Sequence, residues 1–230
     1  MKPIVIIPAR GGSKRIPRKN ISDINGQSAL DILILKLQNM DLFEKIVVST
    51  DDAEISKIAR RAGAAVVNRT SLKLSDDITP TEEVVRDFIT SNNLQNSESS
   101  ILCIDPLALL LTKFEISAAL KILSDSPDMF IISAGEMPIN PLRHSFTMKN
   151  DNVSLLFPEN NDKRSQDLEK TYFDVGMFYL AYPKIWMDKE KYWYTNNSKI
   201  VLIPRENCID VDTEEDLINL KIQYAKTHSV

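Results

Sequence analysis

The sequence predicts an α/β protein: an open, mostly parallel sheet with helices on both faces, interrupted by one inserted arm. Three observations predict it. Short β-branched runs alternate with segments patterned at helical spacing, which is the signature of a βαβ series. The runs are continuously apolar, as expected for strands buried on both faces. Between about Pro138 and Tyr172 the alternation stops, so residues 138–172 are expected to be the arm and residues 1–137 and 173–230 the α/β domain.

The expected strands are Ile4 to Ile7, Lys45 to Ser49, Ala64 to Val67, Ser100 to Ile104 and Met129 to Ser133. Ser28 with Asp31 reads as a capping box ahead of Leu30, Leu33, Ile34 and Leu37. Gly63 is placed to close the helix that carries Ile55, Ile58 and Ala59. Asp51 and Asp52 stand where that helix begins, and an N-cap is their expected role. The arm holds Pro138, Pro141 and Pro158, Asn/Asp-rich stretches and one strand-like run, Val153 to Phe157. Its embedded apolar residues favour a hairpin packed on something, such as a second subunit, over a disordered loop. Strands resume at Val175 to Leu180 and Lys199 to Ile203, before a C-terminal helix with Leu217, Leu220 and Tyr224.

The composition is that of a soluble globular protein, 43% apolar and 26% charged, and no run approaches the roughly 18 apolar residues of a membrane span. The apolar start is too short for a signal-peptide core, so a cytoplasmic protein is expected. Cys103 and Cys208 each sit in an apolar run that reads as a strand, where a reduced, buried thiol is expected. A net charge of −4 argues against a nucleic-acid surface, so any basic site must be local.

One such site follows the first strand: Pro8-Ala9-Arg10-Gly11-Gly12-Ser13-Lys14-Arg15-Ile16-Pro17-Arg18-Lys19-Asn20, with five cations within ten positions. Gly11 and Gly12 would let backbone N–H groups approach an anion, and Arg10, Lys14 and Lys19 would neutralise a polyphosphate. A solvated basic turn is the alternative, disfavoured because ligands bind at the carboxyl ends of strands in such sheets. Neither G-x-x-x-x-G-K-[ST] nor G-x-G-x-x-G occurs, which argues against P-loop hydrolases and dinucleotide enzymes.

The second segment is Ile209-Asp210-Val211-Asp212-Thr213-Glu214-Glu215-Asp216. In extended chain, Asp210 and Asp212 share one face, and a magnesium ion held by the two carboxylates and substrate phosphates would relieve their repulsion. The alternative, a helix cap in which Thr213 and Asp216 form a box, is compatible with it. Arg69 and Ser75, in a polar loop, are weaker candidates for a base or ribose. His144 and His228 lack metal-ligand spacing and are given no chemistry.

Ile7 through Asn20 and Ile209 through Thr213 resemble the opening and closing motifs of the acylneuraminate cytidylyltransferases, in order and spacing along nearly the whole chain. Arg164-Ser165-Gln166-Asp167-Leu168, with Tyr172, Asp174, Gly176, Phe178 and Tyr179, is most similar to the pseudaminate branch. The resemblance implies a Rossmann-like nucleotidyltransferase sheet with a dimerisation arm. It implies CTP and an acidic nine-carbon sugar as substrates, with the anomeric hydroxyl attacking the α-phosphorus and pyrophosphate leaving. By the same resemblance Arg10, Gly11, Gly12, Ser13, Lys19, Asn20, Arg69 and Ser75 hold the nucleotide, and Asp210 and Asp212 hold Mg2+. Asp105, Arg164, Gln166 and Asp174 are assigned to the sugar, with Arg164 and Gln166 reaching the partner's site in a homodimer.

The chain departs from the family at Asp105-Pro106-Leu107-Ala108-Leu109-Leu110-Leu111, where Pro-Thr-Ser-Pro or Pro-Thr-Ala-Pro is usual. It departs again at Gly26-Gln27-Ser28-Ala29-Leu30 and at Val175-Gly176, where the sialate enzymes carry Asn-Gly. Sialate, legionaminate or an octulosonate are the alternative sugars. A non-catalytic sugar-nucleotide binder is the alternative from another class, and a GT-A-like glycosyltransferase is a third, disfavoured because it would ordinarily carry its Asp-x-Asp pair mid-chain and not near the C-terminus.

Overall fold

The structure, a computed structural model, describes residues 1–69, 71–76 and 78–228. In chain order the elements are β1 (Ile4–Pro8), β2 (Asp23–Ile24), β3 (Gln27–Ser28), α1 (Ala29–Met40), β4 (Lys45–Thr50), α2 (Ala53–Arg61), β5 (Ala65–Asn68), α3 (Thr81–Ser91) and β6 (Ile101–Ile104). There follow α4 (Lys113–Asp125), β7 (Phe130–Glu136), α5 (Pro141–His144), β8 (Phe146–Lys149), β9 (Asn152–Leu155), β10 (Tyr172–Ala181), α6 (Pro183–Met187), β11 (Ser198–Leu202) and α7 (Glu214–His228).

Seven strands form one sheet in the order β11-β7-β10-β6-β1-β4-β5. β10 runs antiparallel to both β6 and β7, and the other pairings are parallel. β1 shows why the sheet is covered twice. Its Val5 and Ile7 join one core with α1, α2 and α4, while Ile4 and Ile6 join the other with α3, α6 and Trp193. Successive strands leave β1 towards β4 on one side and β6 on the other. The crevice at the carboxyl ends therefore opens beside β1, where the strand order reverses.

The strand positions expected from sequence hold to within a few residues, but several local expectations do not. At Ser28 no capping box forms: its buried hydroxyl has no partner, and Asp31 instead pairs with Arg61 of α2. The box occurs at Thr112 and Glu115 ahead of α4. Thr213 and Asp216 do bond reciprocally, with the Asp216 N–H donating to Thr213 Oγ1 at 3.2 Å and the Thr213 N–H to Asp216 Oδ2 at 2.8 Å. Cys103 is buried in β6, whereas Cys208 is half-buried in a turn after β11, where the chain leaves the sheet.

Within the arm, β8 and β9 form a hairpin that pairs Phe146 with Leu155 and Met148 with Val153. Directly opposed residues share a face, so these four side chains make one apolar surface. All four are exposed, Met148 to 71%.

Asp52 ties the loop after β1 to the sheet's second crossover. It caps α2 by accepting from the Glu54 and Ile55 N–H groups, and it accepts two hydrogen bonds from Arg18, at 2.6 and 3.0 Å. The Arg18 bonds hold its carboxyl down at about 2, helped by those two backbone donors. A carboxylate depressed in the folded state contributes stability above its ordinary range and loses it as pH falls through the folded value. Asparagine still caps a helix. Asp52→Asn is therefore expected to cost on the order of 1 kcal/mol at pH 7, reduced by solvent screening. Urea melts from pH 7 towards pH 2 should show that difference shrinking as the wild-type carboxylate is protonated.

Candidate active site

The loop after β1 bends back over the sheet's carboxyl edge and walls a cleft of about 480 Å³. Arg10, Ser13, Lys14, Arg15, Lys19 and Asn20 line it from this loop, and Arg69, Asp105 and Asp212 line it from segments distant in sequence. Arg69 follows β5 and Asp105 follows β6, so strand ends supply both. The nucleotide-side expectations for Arg10, Ser13, Lys19, Asn20 and Arg69 thus fall in one place, together with two of the acidic residues.

Backbone carbonyls hold three of these cations. Arg10 donates to the Asp76 carbonyl, Arg69 to the Leu74 carbonyl at 2.7 Å, and Lys19 to the Val211 carbonyl at 2.5 Å. Asn20, 7% exposed, donates to the Arg10 carbonyl at 2.9 Å and fixes the loop's curvature. Burial lowers the Arg69 pKa, the expected cost of a guanidinium out of water.

The glycines serve a different purpose from the one expected. Neither lines the cleft. The Gly11 N–H donates to Asp51 Oδ1 at 3.0 Å, and a Cβ on Gly11 would stand 2.6 Å from Asp52 Oδ2, so Gly11 lets the loop pass close to the start of α2. Around Gly12 there is open space. Arg18 belongs to the same junction, with a left-handed backbone and bonds to Asp52 and Glu54. Ser75 has a buried hydroxyl without a partner and does not line the cleft.

On the acidic side, Asp212 pairs with Arg15 at 2.7 Å. Asp105 accepts from the Leu107 N–H at 2.8 Å. Burial raises the Asp105 pKa, with Asp212 adding and Lys19 opposing. Burial likewise raises Asp210, with repulsion from Asp212 and then Asp105 adding to it and Lys19 again opposing. Three carboxylates therefore crowd one lysine. Leu107 to Leu111, the departure from the family's usual residues, are all buried in the core and absent from the cleft.

Arg164 and Gln166 do not reach this cleft within one chain. Both are exposed on the arm, with Arg164 paired to Asp167 at 2.8 Å. Asp174 does not line it either and bonds to protein groups on β10 and near β11. His144 Nε2 lies 3.0 Å from Ser165 Oγ, and the His228 side chain lies outside the described residues. Sequence reading missed Asp76, Thr79, Thr81 and Val84, which complete the wall opposite the basic loop. Their only signal was a polar stretch ahead of a helix.

Comparison with known proteins bears on this geometry. Residues 4–180 match the family described as cytidylyltransferase. The pseudaminic acid cytidylyltransferase of Campylobacter jejuni is 36% identical over 230 residues, covering 99% of this chain and 98% of that protein. The N-acylneuraminate cytidylyltransferase of Streptococcus agalactiae is 30% identical over 224 residues, 96% of this chain and 52% of that protein. Among solved structures, CMP:2-keto-3-deoxy-manno-octonic acid synthetase complexed with CTP shares the fold, with a TM-score of 0.70 at 14% identity, covering 99% of this chain and 100% of that one. By the family match and the full-length identity together, the chain belongs to the cytidylyltransferase family.

Proposed function

We propose that this chain is a nucleotidyltransferase that transfers CMP from CTP to an acidic nonulosonate sugar, pseudaminate by preference, and releases pyrophosphate. The observation that carries the reading is a cation-lined cleft at the sheet's switch point with carboxylates gathered on its other side, in a chain 36% identical end to end to a pseudaminic acid cytidylyltransferase. The sugar's anomeric hydroxyl attacks the α-phosphorus in line. Arg10 and Lys19 stabilise the charge that grows on the leaving pyrophosphate, while Ser13, Asn20 and Arg69 orient the nucleotide.

Asp210 and Asp212 are suited to a divalent cation. Among the described residues no cluster of three or more acidic, His or Cys side chains is set up as a metal cage. Magnesium takes one or two carboxylates and completes its shell with water and substrate phosphates. Burial raises Asp210 first and repulsion from Asp212 adds to it, and a bound cation would relieve both. When bound, magnesium supplies charge that lowers the cost of negative charge at the attacked phosphorus.

The apolar face of Phe146, Met148, Val153 and Leu155 supports a homodimer through residues 138–172. In that arrangement Arg164 and Gln166 act on the partner's sugar site, where a guanidinium matches a carboxylate in a two-pronged contact. Asp105, which lines the cleft, is assigned to the sugar side of the same centre. A cytoplasmic setting fits the two free cysteines.

The decisive assay is pyrophosphate release from CTP with pseudaminate, legionaminate and sialate, and with other nucleotides as controls. Release with one sugar and CTP alone is expected; no release despite measurable CTP binding would overturn the reading. Lys19→Ala and Asp212→Ala should each lower turnover about 10²- to 10³-fold with melting little changed. A chelator should abolish release, and added magnesium should restore it. Met148→Glu should shift the protein from dimer to monomer in light scattering and lower activity, because the partner's arginine is then lost.

A further inference from the structure

β10 does not run evenly past its neighbours. Asp174 faces Ala134 of β7 and Tyr179 faces Ile132, so five steps along β10 span only two along β7. The surplus chain forms a bulge in which Gly176 takes φ +72. Bulges of this kind re-aim the groups around an active site. Two side chains satisfy this one's backbone. Fully buried Ser133 lies with Oγ 3.1 Å from the N–H groups of both Met177 and Phe178. Asp174 accepts from the Gly176 N–H at 2.8 Å with one oxygen. Its other oxygen accepts from the hydroxyls of Tyr179, at 2.5 Å, and Tyr194, at 2.6 Å.

The bulge approaches Asp105, which lines the cleft, and Asp210, which does not. The Met177 carbonyl accepts from the Asp105 N–H at 3.0 Å, fixing the backbone of that residue. A Cβ on Gly176 would stand 3.9 Å from Asp210 Oδ2, so the bulge also lies directly behind that side chain. We propose that Asp174 is a positioning residue: it locks the β10 bulge, and through the bulge it sets where Asp105 stands in the cleft and where Asp210 stands next to the bulge. The proposal rests on the functional reading above and deepens it. Asp174 has no side-chain amide or cation among these partners, only three donors that need an acceptor carrying charge in both oxygens. Asparagine supplies one acceptor oxygen and turns a donor towards either the Gly176 N–H or the tyrosine hydroxyls.

Ser133 provides the discriminating control. It holds the same bulge from the β7 side and, being 0% exposed, cannot touch a sugar. The experiment measures pyrophosphate release against sugar concentration, calorimetric CTP binding without sugar, and melting, for wild type, Asp174→Asn and Ser133→Ala as full chains. Both variants are expected to lower kcat about 10- to 100-fold, with CTP affinity kept. The sugar KM is expected to stay within about two-fold, because the loss falls on the transition state and not on binding. A raised sugar KM with unchanged kcat in Asp174→Asn, beside a wild-type-like Ser133→Ala, would make Asp174 a direct sugar ligand and overturn the proposal. Unchanged kcat in both would overturn it as well. If Asp174→Asn does not fold, Ser133→Ala decides alone, by the same kcat criterion. Wild type that releases no pyrophosphate would overturn the functional reading and the proposal with it, whereas failure of the proposal alone requires an active wild type.

Discussion

The contact between Lys19 and the Val211 carbonyl joins the first loop of the chain to its last, across 192 residues. On that junction the rest of the cleft depends. Lys19 opposes the burial and repulsion that raise Asp105 and Asp210, so the lysine stands at the charge centre of the acidic side. Lys19 thus stands between the basic loop and the acidic side of a cleft of about 480 Å³. Arg15 pairs with Asp212 through exposed side chains, where an ion pair is weakly held and easily exchanged for a ligand.

The sheet explains how residues so far apart in sequence meet. β1, β5 and β6 run parallel, so the residues that follow them, Arg10, Arg69 and Asp105, emerge on the same edge. The strand order reverses beside β1 and leaves a gap there that neither neighbouring crossover fills. β10 is inserted antiparallel between β6 and β7, and its bulge carries the connection from the sheet to the acidic side. One cation of the loop, Arg18, is spent on the junction with α2 through Asp52 and Glu54. Protein contacts therefore shape this part of the loop.

Much of this was legible in the sequence because strands buried on both faces announce themselves as apolar runs. The basic loop and the Asp210–Asp212 segment were legible because each packs unusual charge into a short span. What stayed hidden depends on contacts distant in sequence. Ser28 looked like a cap, but Asp31 has a stronger partner in Arg61, thirty positions away. Gly11 looked like a phosphate glycine, while its small size answers to Asp52 on another element. Asp76 and Thr79 sit in a polar stretch whose spacing carries no periodic signal, so only the fold reveals that they face the cleft. The β10 bulge was invisible for the same reason: Val175 to Leu180 reads as a plain strand unless its register against β7 is known.

The segment from Leu107 to Leu111 shows how a departure from a family's usual residues can leave the chemistry intact. Each of its residues is at most 3% exposed, packed into the core beside α1 and α4. Lys36 donates to the Leu109 carbonyl at 2.6 Å, which satisfies a backbone group that burial would otherwise strand. The leucines pack in the core, and of this segment Asp105 is the residue that lines the cleft. Since the Asp105 backbone is held by Met177 and its carboxylate by the Leu107 N–H, the packing beneath can change without moving the charge. The buried leucines can then act on the cleft only through the packing beneath Asp105.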